Sequence, residues 1–182
     1  TAEDRGKGLF KERQEDGYDA IMTNEKDVVL VGFSADCVLI YFYDKVKNAI
    51  AIAHSGWRGT VLGIGGKVVK RMKEEFGSNP EDIVCGIAPA IGVDHFQVDI
   101  PVVTAFRQAY DWADKFIYPD ENMAERWFID LHSINEEILV NEGIKRENIE
   151  NSRICTQCDP DRFFSHRVMG AKRGTLAGFM SL

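Results

Sequence analysis

Residues 34–60 read SADCVLIYFYDKVKNAIAIAHSGWRGT. Two apolar runs, 38–43 and 49–54, flank the polar DKVKN at 44–48. Runs of that length, bounded by turn residues, predict an antiparallel hairpin. A two-residue loop at 45–46 would set position 44 against 47 and Cys37 opposite His54, with Cβ atoms about 5 Å apart. A four-residue loop shifts the register by two and leaves the pair diagonal on one face. An odd loop without a bulge separates them.

Outward from the hairpin, residues 28–33 (VVLVGF) form a strand candidate and 19–23 a short strand or turn. Residues 1–18 are polar, weakly patterned and read as loop. Downstream, Val61, Ile64, Val68, Met72 and Phe76 recur at helical spacing. They predict one helix over 60–76, N-capped by Thr60 and stopped by Gly77. Residues 83–87 read as a buried strand. Asp99 and Pro101 open a helix reaching about Tyr110. Residues 126–131 read as a strand, 133–142 as a helix, and 149–155 and 175–182 as strands. Strands and helices alternate irregularly around an antiparallel hairpin, so the expected class is α+β with a mixed sheet, in a single domain over 1–182.

With 182 residues, 45% of them hydrophobic, the chain can bury one sizeable core. A net charge of −7 and the absence of a basic run argue against nucleic-acid binding. No apolar stretch is long enough for a membrane span, and no signal peptide is visible. The four cysteines (37, 85, 155, 158) need no disulfide framework in a core-rich chain, so reduced thiols and the cytoplasm are expected. The partners expected are small molecules, and a monomer is expected.

Cys37 and His54 have two chemical uses. Thiolate and imidazole are ligands for zinc or copper. In hydrogen-bond reach they are a nucleophile and its base. A buried thiol beside a satisfied histidine also fits the pattern. Asp36 adds a carboxylate. Arg58 stands ahead of the 60–76 helix, where a guanidinium and helix N–H groups suit an anion. A catalytic zinc wants three protein ligands, and His95, His132, His166, Asp36 and the other cysteines are candidates for the third. Cys155-Thr-Gln-Cys158 is half of a structural zinc pattern with no second half, so ordinary thiols are expected there. In Phe163-Phe164-Ser165-His166-Arg167, the last three residues either face a pocket or belong to a solvated loop.

These stretches resemble the YfiH or DUF152 family, also called the laccase-domain or multicopper polyphenol oxidoreductase family. The resemblance rests on ADC at 35–37, AHSGWRGT at 53–60, GIAPAIG at 86–92, CT at 155–156 and FFSHR at 163–167. It implies the cytotoxic necrotising factor type of α+β fold, whose members use a Cys-His pair as a hydrolase dyad. It also implies a zinc site, with copper an alternative, held by Cys37, His54 and a histidine of a VHG motif. No VHG motif occurs in these 182 residues, and family spacing puts it near or before Thr1. An N-terminal part is therefore expected to be missing. His95 is a substitute ligand in prospect.

The activity implied is that of a purine nucleoside phosphorylase acting on adenosine, inosine and S-methyl-5'-thioadenosine, with adenosine deaminase activity and phosphate as co-substrate. Cys37, His54 and Asp36 are the expected catalytic residues; Arg58, Ser165, His166 and Arg167 are expected to bind substrate. An alternative implied by other family members is hydrolysis of UDP-MurNAc-L-Ser in peptidoglycan editing. Laccase chemistry ranks below both. It needs several coppers and many histidines, and the chain has four (54, 95, 132, 166) with no HxH pair.

Overall fold

The computed structural model describes residues 1–7, 10–11 and 17–182. Part of the loop expected over 1–18 thus lies outside the described residues; Ala2–Asp4 forms one 3-10 turn. The strands are β1 (Ala20–Thr23), β2 (Leu30–Ser34), β3 (Val38–Asp44), β4 (Ala49–Ser55), β5 (Ile83–Ile87), β6 (Gln97–Asp99), β7 (Ile117–Pro119), β8 (Arg126–Ile129), β9 (Ile149–Asn151) and β10 (Leu176–Met180). The helices are α1 (Trp57–Val61), α2 (Ile64–Phe76), α3 (Ile100–Ala109), α4 (Leu131–Asn141) and α5 (His166–Met169). None is long and apolar enough to cross a membrane.

A five-stranded sheet in the order β1-β4-β3-β5-β9 forms the middle of the molecule. Its pairings are antiparallel except β5–β9, which is parallel. The mixed α+β class read from the sequence is therefore the architecture found. The hairpin has the four-residue loop: Asp44 pairs with Ala49, and Leu39 with His54. Asp44 explains the choice. Its carboxylate accepts from the N–H groups of Val46 (2.8 Å) and Lys47 (2.9 Å), and Asn48 closes the turn in the left-handed region (φ 50°). That geometry tolerates asparagine better than most residues.

The parity of this register divides the sheet into two faces. Val38, Ile40 and Phe42 with Ala49, Ala51 and Ala53 face the main core, where Val68, Val69 and Met72 of α2 cover them. The alanines of β4 keep that face low, so the helix lies close. Gly65 of α2 sits where a Cβ would be 3.4 Å from Ile40 and 3.3 Å from Leu139. Full burial of side chains such as Ile40 and Phe42 contributes about 2–3 kcal/mol each. Ile50 and Ile52 face the other side, with Val28 and Leu30.

That second face is covered by a separate two-stranded sheet, β10–β2. The strand expected at 28–33 thus pairs with the C-terminal strand. Gly32 and Gly178 pair directly in this ladder. A Cβ on Gly178 would collide with the Tyr41 hydroxyl, and one on Gly32 would come within 2.7 Å of Ile52. The two glycines let the small sheet lie flush on the large one.

The helix expected over 60–76 is two helices. Gly63 adopts φ 67° between α1 and α2, a conformation that breaks a continuous helix and is natural to glycine. Thr60 is therefore no N-cap. It is buried inside α1, and its hydroxyl donates to the Gly56 carbonyl (3.1 Å). Asn135 of α4 donates to Thr60 Oγ1 (3.2 Å) and to the Leu131 carbonyl (2.8 Å), and accepts from Ser55 Oγ (2.8 Å). Tyr110 donates to the Thr60 carbonyl (2.7 Å). This buried network fixes α1 against α4 and so places the segment after His54. Gly77 does stop α2, at φ 67°. Asp99 and Pro101 open α3, as expected. The expected strand at 149–155 ends at Asn151, because Arg153 turns to φ 53°.

Candidate active site

Cys37 immediately precedes β3, and His54 is the penultimate residue of β4. With Leu39 paired to His54, Cys37 is diagonal to His54 on the same face, as the four-residue loop requires. Both face the gap left by Gly56. A Cβ there would stand 3.1 Å from Cys37 Sγ, 3.5 Å from His54 Cε1 and 3.8 Å from His54 Nε2. On its other side, His54 Nδ1 meets the Asp19 carboxylate at 3.1 Å, and the Asp19 carbonyl accepts from the His54 backbone N–H.

The neighbouring Cys37 thiol is the largest influence on His54 and raises its pKa. Burial opposes the rise and Asp19 reinforces it, for a value of about 9. A carboxylate on the far nitrogen also orients a metal-ligating histidine. Sulfur and imidazole nitrogen converging on an open gap are a donor set for zinc or copper, and they supply two corners of such a site. Among the described residues, no third histidine, cysteine or carboxylate joins this pair in a ligand cluster.

Asp36 takes the backbone conformation φ 78°, in the left-handed region that aspartate visits more readily than most residues. Its carboxylate is buried. There it accepts from Thr156 Oγ1 at 2.6 Å, Ser165 Oγ at 3.1 Å and the Arg167 backbone N–H at 2.7 Å. Its carbonyl accepts from the Ile91 N–H at 2.9 Å. One residue beside Cys37 thus ties three distant segments together.

Ser165 is fully buried and caps α5, accepting from the Val168 N–H. The serine expected to bind substrate is occupied with Asp36 and the helix end. His166 and Arg167 follow it and line the cavity, as does Cys37.

That cavity has a volume of about 630 Å³. Its walls come from the end of the main sheet, from β6 and β8 of the three-stranded sheet β6-β8-β7, and from the turn after Phe164. Trp57 and Phe96 give it aromatic surface; Arg126, Arg167 and Arg173 give it positive charge. Arg167 donates to the Gln97 carbonyl and lies 5.8 Å from the Phe96 ring. Arg173 donates to His166 Nδ1 at 3.1 Å and to the Gly174 carbonyl. These partners are neutral, so the charge is available to an anion.

Arg58 is differently placed. It is the second residue of α1, stacks its guanidinium 4.3 Å over Trp57, and is not on the cavity wall. The separation follows from α1 starting at Trp57 rather than at Thr60. Arg126 and Arg173 were not singled out by sequence. The strand assignment at 126–131 could have pointed to Arg126, since β8 pairs with β6 at the cavity wall.

His95, Cys155 and Cys158 also come together. The His95 Nδ1 lies 3.6 Å from Cys155 Sγ and 3.7 Å from Cys158 Sγ. His132 is apart from all of these, buried with Nδ1 on Asn151.

Known proteins resemble this chain over nearly its whole length. Purine nucleoside phosphorylase YlmD of Bacillus subtilis is 38% identical over 183 residues, covering 100% of this chain and 65% of that protein. Adenosine deaminase RL5, from an unknown prokaryotic organism, is 33% identical, covering 94% of this chain and 66% of that protein. The crystal structure of hypothetical protein YfiH from Bacillus licheniformis superposes with a TM-score of 0.94 at 36% identity, covering 100% of this chain and 68% of that one. The chain therefore spans about two thirds of these relatives. Residues 3–182 match the model of the multi-copper polyphenol oxidoreductase laccase family, and this chain belongs to that family.

Proposed function

We propose that this protein is a purine nucleoside enzyme that cleaves adenosine, inosine and S-methyl-5'-thioadenosine with phosphate and also deaminates adenosine. The observation that carries this reading is the cavity beside Cys37, lined both by the aromatic rings of Trp57 and Phe96 and by guanidinium groups without carboxylate partners among the described residues. Its volume lies within the range of roughly 300–1,000 Å³ typical of small-molecule sites. The activities for which YlmD and RL5 are named support the same reading.

In this proposal Trp57 and Phe96 stack the purine, and Arg167 and Arg173 hold phosphate near the ribose, with Arg126 beside them. The phosphate role expected of Arg58 passes to these cavity arginines. Asp36 is a positioning residue: three donors already occupy its carboxylate, so it fixes the start of α5 and with it Arg167. His166 then stabilises the leaving base by hydrogen bonding: its Nδ1 accepts from Arg173, so Nε2–H is left to donate a hydrogen bond to the departing purine, whose proton comes from solvent. An ion held by Cys37 and His54 would supply Lewis acidity that activates water for deamination.

Copper electron transfer is poorly supported by these residues. The four histidines stand in four environments: His54 with Cys37 and Asp19, His95 with Cys155 and Cys158, His132 with Asn151, and His166 with Arg173. No two of them share a site that could assemble a multi-copper cluster.

The test is a pair of assays on Arg167→Ala. Phosphorolysis of inosine should show a KM for phosphate raised by about tenfold or more, corresponding to at least one lost charge-assisted contact. Adenosine deamination, which uses no phosphate, should keep most of its rate. Equal losses in both reactions would remove phosphate binding from Arg167.

A further inference from the structure

We propose that His95, Cys155 and Cys158 form a second metal site, separate from Cys37 and His54, that takes a thiophilic ion of the zinc class and locks one wall of the cavity. The three ligand atoms lie within 4.8 Å of one another. In a tetrahedral zinc site, with Zn–S about 2.3 Å and Zn–N about 2.0–2.1 Å, neighbouring nitrogen and sulfur corners are about 3.5–3.6 Å apart. The two His95-to-sulfur distances, 3.6 and 3.7 Å, match that spacing.

Hydrogen bonding alone accounts for the cluster less well. One ring nitrogen donates to or accepts from one thiol at a time, yet Nδ1 is shared almost equally between two sulfurs. The Gly92 N–H also donates to Cys155 Sγ, at 3.1 Å. A backbone donor on the sulfur is an outer contact of the kind that orients a metal ligand. Gly92 is required for this approach, since a Cβ would stand 3.0 Å from the Cys155 Cβ.

The surrounding backbone is already held in place. Ala90 N–H donates to the Ile154 carbonyl at 3.1 Å, and Thr156 N–H to the Ala90 carbonyl at 3.0 Å. The 3-10 turn Val93–His95 and the Cys155–Cys158 turn are thus clamped side by side, without a metal-binding strand or helix. Three protein ligands leave the fourth position to solvent, on the side of exposed Cys158.

The position gives the site a task. Next to His95 is Phe96, on the cavity wall; next to Cys155 is Thr156, which donates to Asp36. An ion bridging the two turns fixes both neighbours together. This is a positioning role, and it stands whether or not the cavity binds nucleosides.

The probe is Co²⁺ alone, added to protein freed of metal by a chelator under reducing conditions. Thiolate-to-cobalt charge transfer reports the number of bound sulfurs. In Cys37→Ser/His54→Ala, which removes the first pair, one equivalent should bind with a two-thiolate band. Cys158→Ser, at an exposed position the fold tolerates, should halve the band in that background. Adding Cys155→Ser should abolish it, and His95→Ala should weaken binding by about tenfold or more. The proposal is overturned if Cys37→Ser/His54→Ala shows no thiolate band while its thiols remain free to a thiol reagent. It is equally overturned if the band survives loss of Cys155 and Cys158.

Discussion

Replacing Asp36 distinguishes a proton carrier from a positioning residue. In Asp36→Ala, the Thr156 hydroxyl, the Ser165 hydroxyl and the Arg167 N–H lose their acceptor in one step. Hydrogen bonds to charged groups contribute about 1.5–3 kcal/mol each, so the gross loss is about 4.5–9 kcal/mol. Relaxation and water entry recover part of it, while alanine at φ 78° adds about 1 kcal/mol of strain. A net cost of about 4–6 kcal/mol follows, a large share of the stability of an ordinary domain. Asp36→Asn is milder. Ser165 and Arg167 meet the same oxygen, so an amide with its oxygen there keeps both bonds. The amide nitrogen can donate to Thr156 Oγ1, and asparagine tolerates positive φ. The cost should be about 1 kcal/mol. Urea unfolding of both variants and phosphorolysis by Asp36→Asn provide the readouts. Retention of most of kcat in the asparagine variant is expected. A stable Asp36→Asn protein with kcat reduced about a hundredfold would show that Asp36 moves a proton. An alanine variant within about 1.5 kcal/mol of wild type would show that the three bonds do not hold the site.

Three further outcomes are expected. Gly56→Ala has a backbone that alanine can adopt (φ −63°, ψ 170°), so unfolding should shift by less than about 1 kcal/mol. Its methyl group enters the gap between Cys37 and His54, and activity should drop by about a hundredfold; wild-type activity would mean that the gap is not used. Asn135→Ala breaks the network joining Ser55, Thr60 and Leu131 and should destabilise the protein by about 3 kcal/mol in denaturant unfolding. Tyr110 supplies a pH dependence: burial, and then Glu142, push its pKa from 10.0 up to about 12. A pKa raised on folding gives stability that is complete below the unfolded value and lost as pH rises through the folded one. Wild type should therefore lose more stability than Tyr110→Phe between pH 10 and 12 in parallel melts; superimposable losses would contradict this.

The hairpin was legible in the sequence because two apolar runs bounded by turn residues are a local signal, and either even loop length put Cys37 and His54 on one face. The loop length was not fixed by the pattern, since it depends on the Asp44 carboxylate taking two N–H groups rather than on an Asn-Gly turn. The break at Gly63 was hidden by apolar spacing that continues through it, while the buried polar Ser55–Thr60–Asn135 network holds α1 as a separate unit. The partner of β2 could not be read locally, because it lies at the other end of the chain. Of the cavity arginines only Arg167 was singled out in the sequence; Arg126 and Arg173 reach the cavity from β8 and from beyond α5. His95 was noted as a prospective ligand, but its meeting with Cys155 and Cys158 depends on backbone bonds between residues 90 and 154–156.

The most direct measurement on the central claim follows inosine with the purified protein, with and without phosphate, identifying both products. The account predicts hypoxanthine and ribose 1-phosphate in equal amounts, dependent on phosphate and lost in Arg167→Ala/Arg173→Ala at low phosphate. Free ribose formed regardless of phosphate, or no cleavage of any of the three nucleosides, would contradict it.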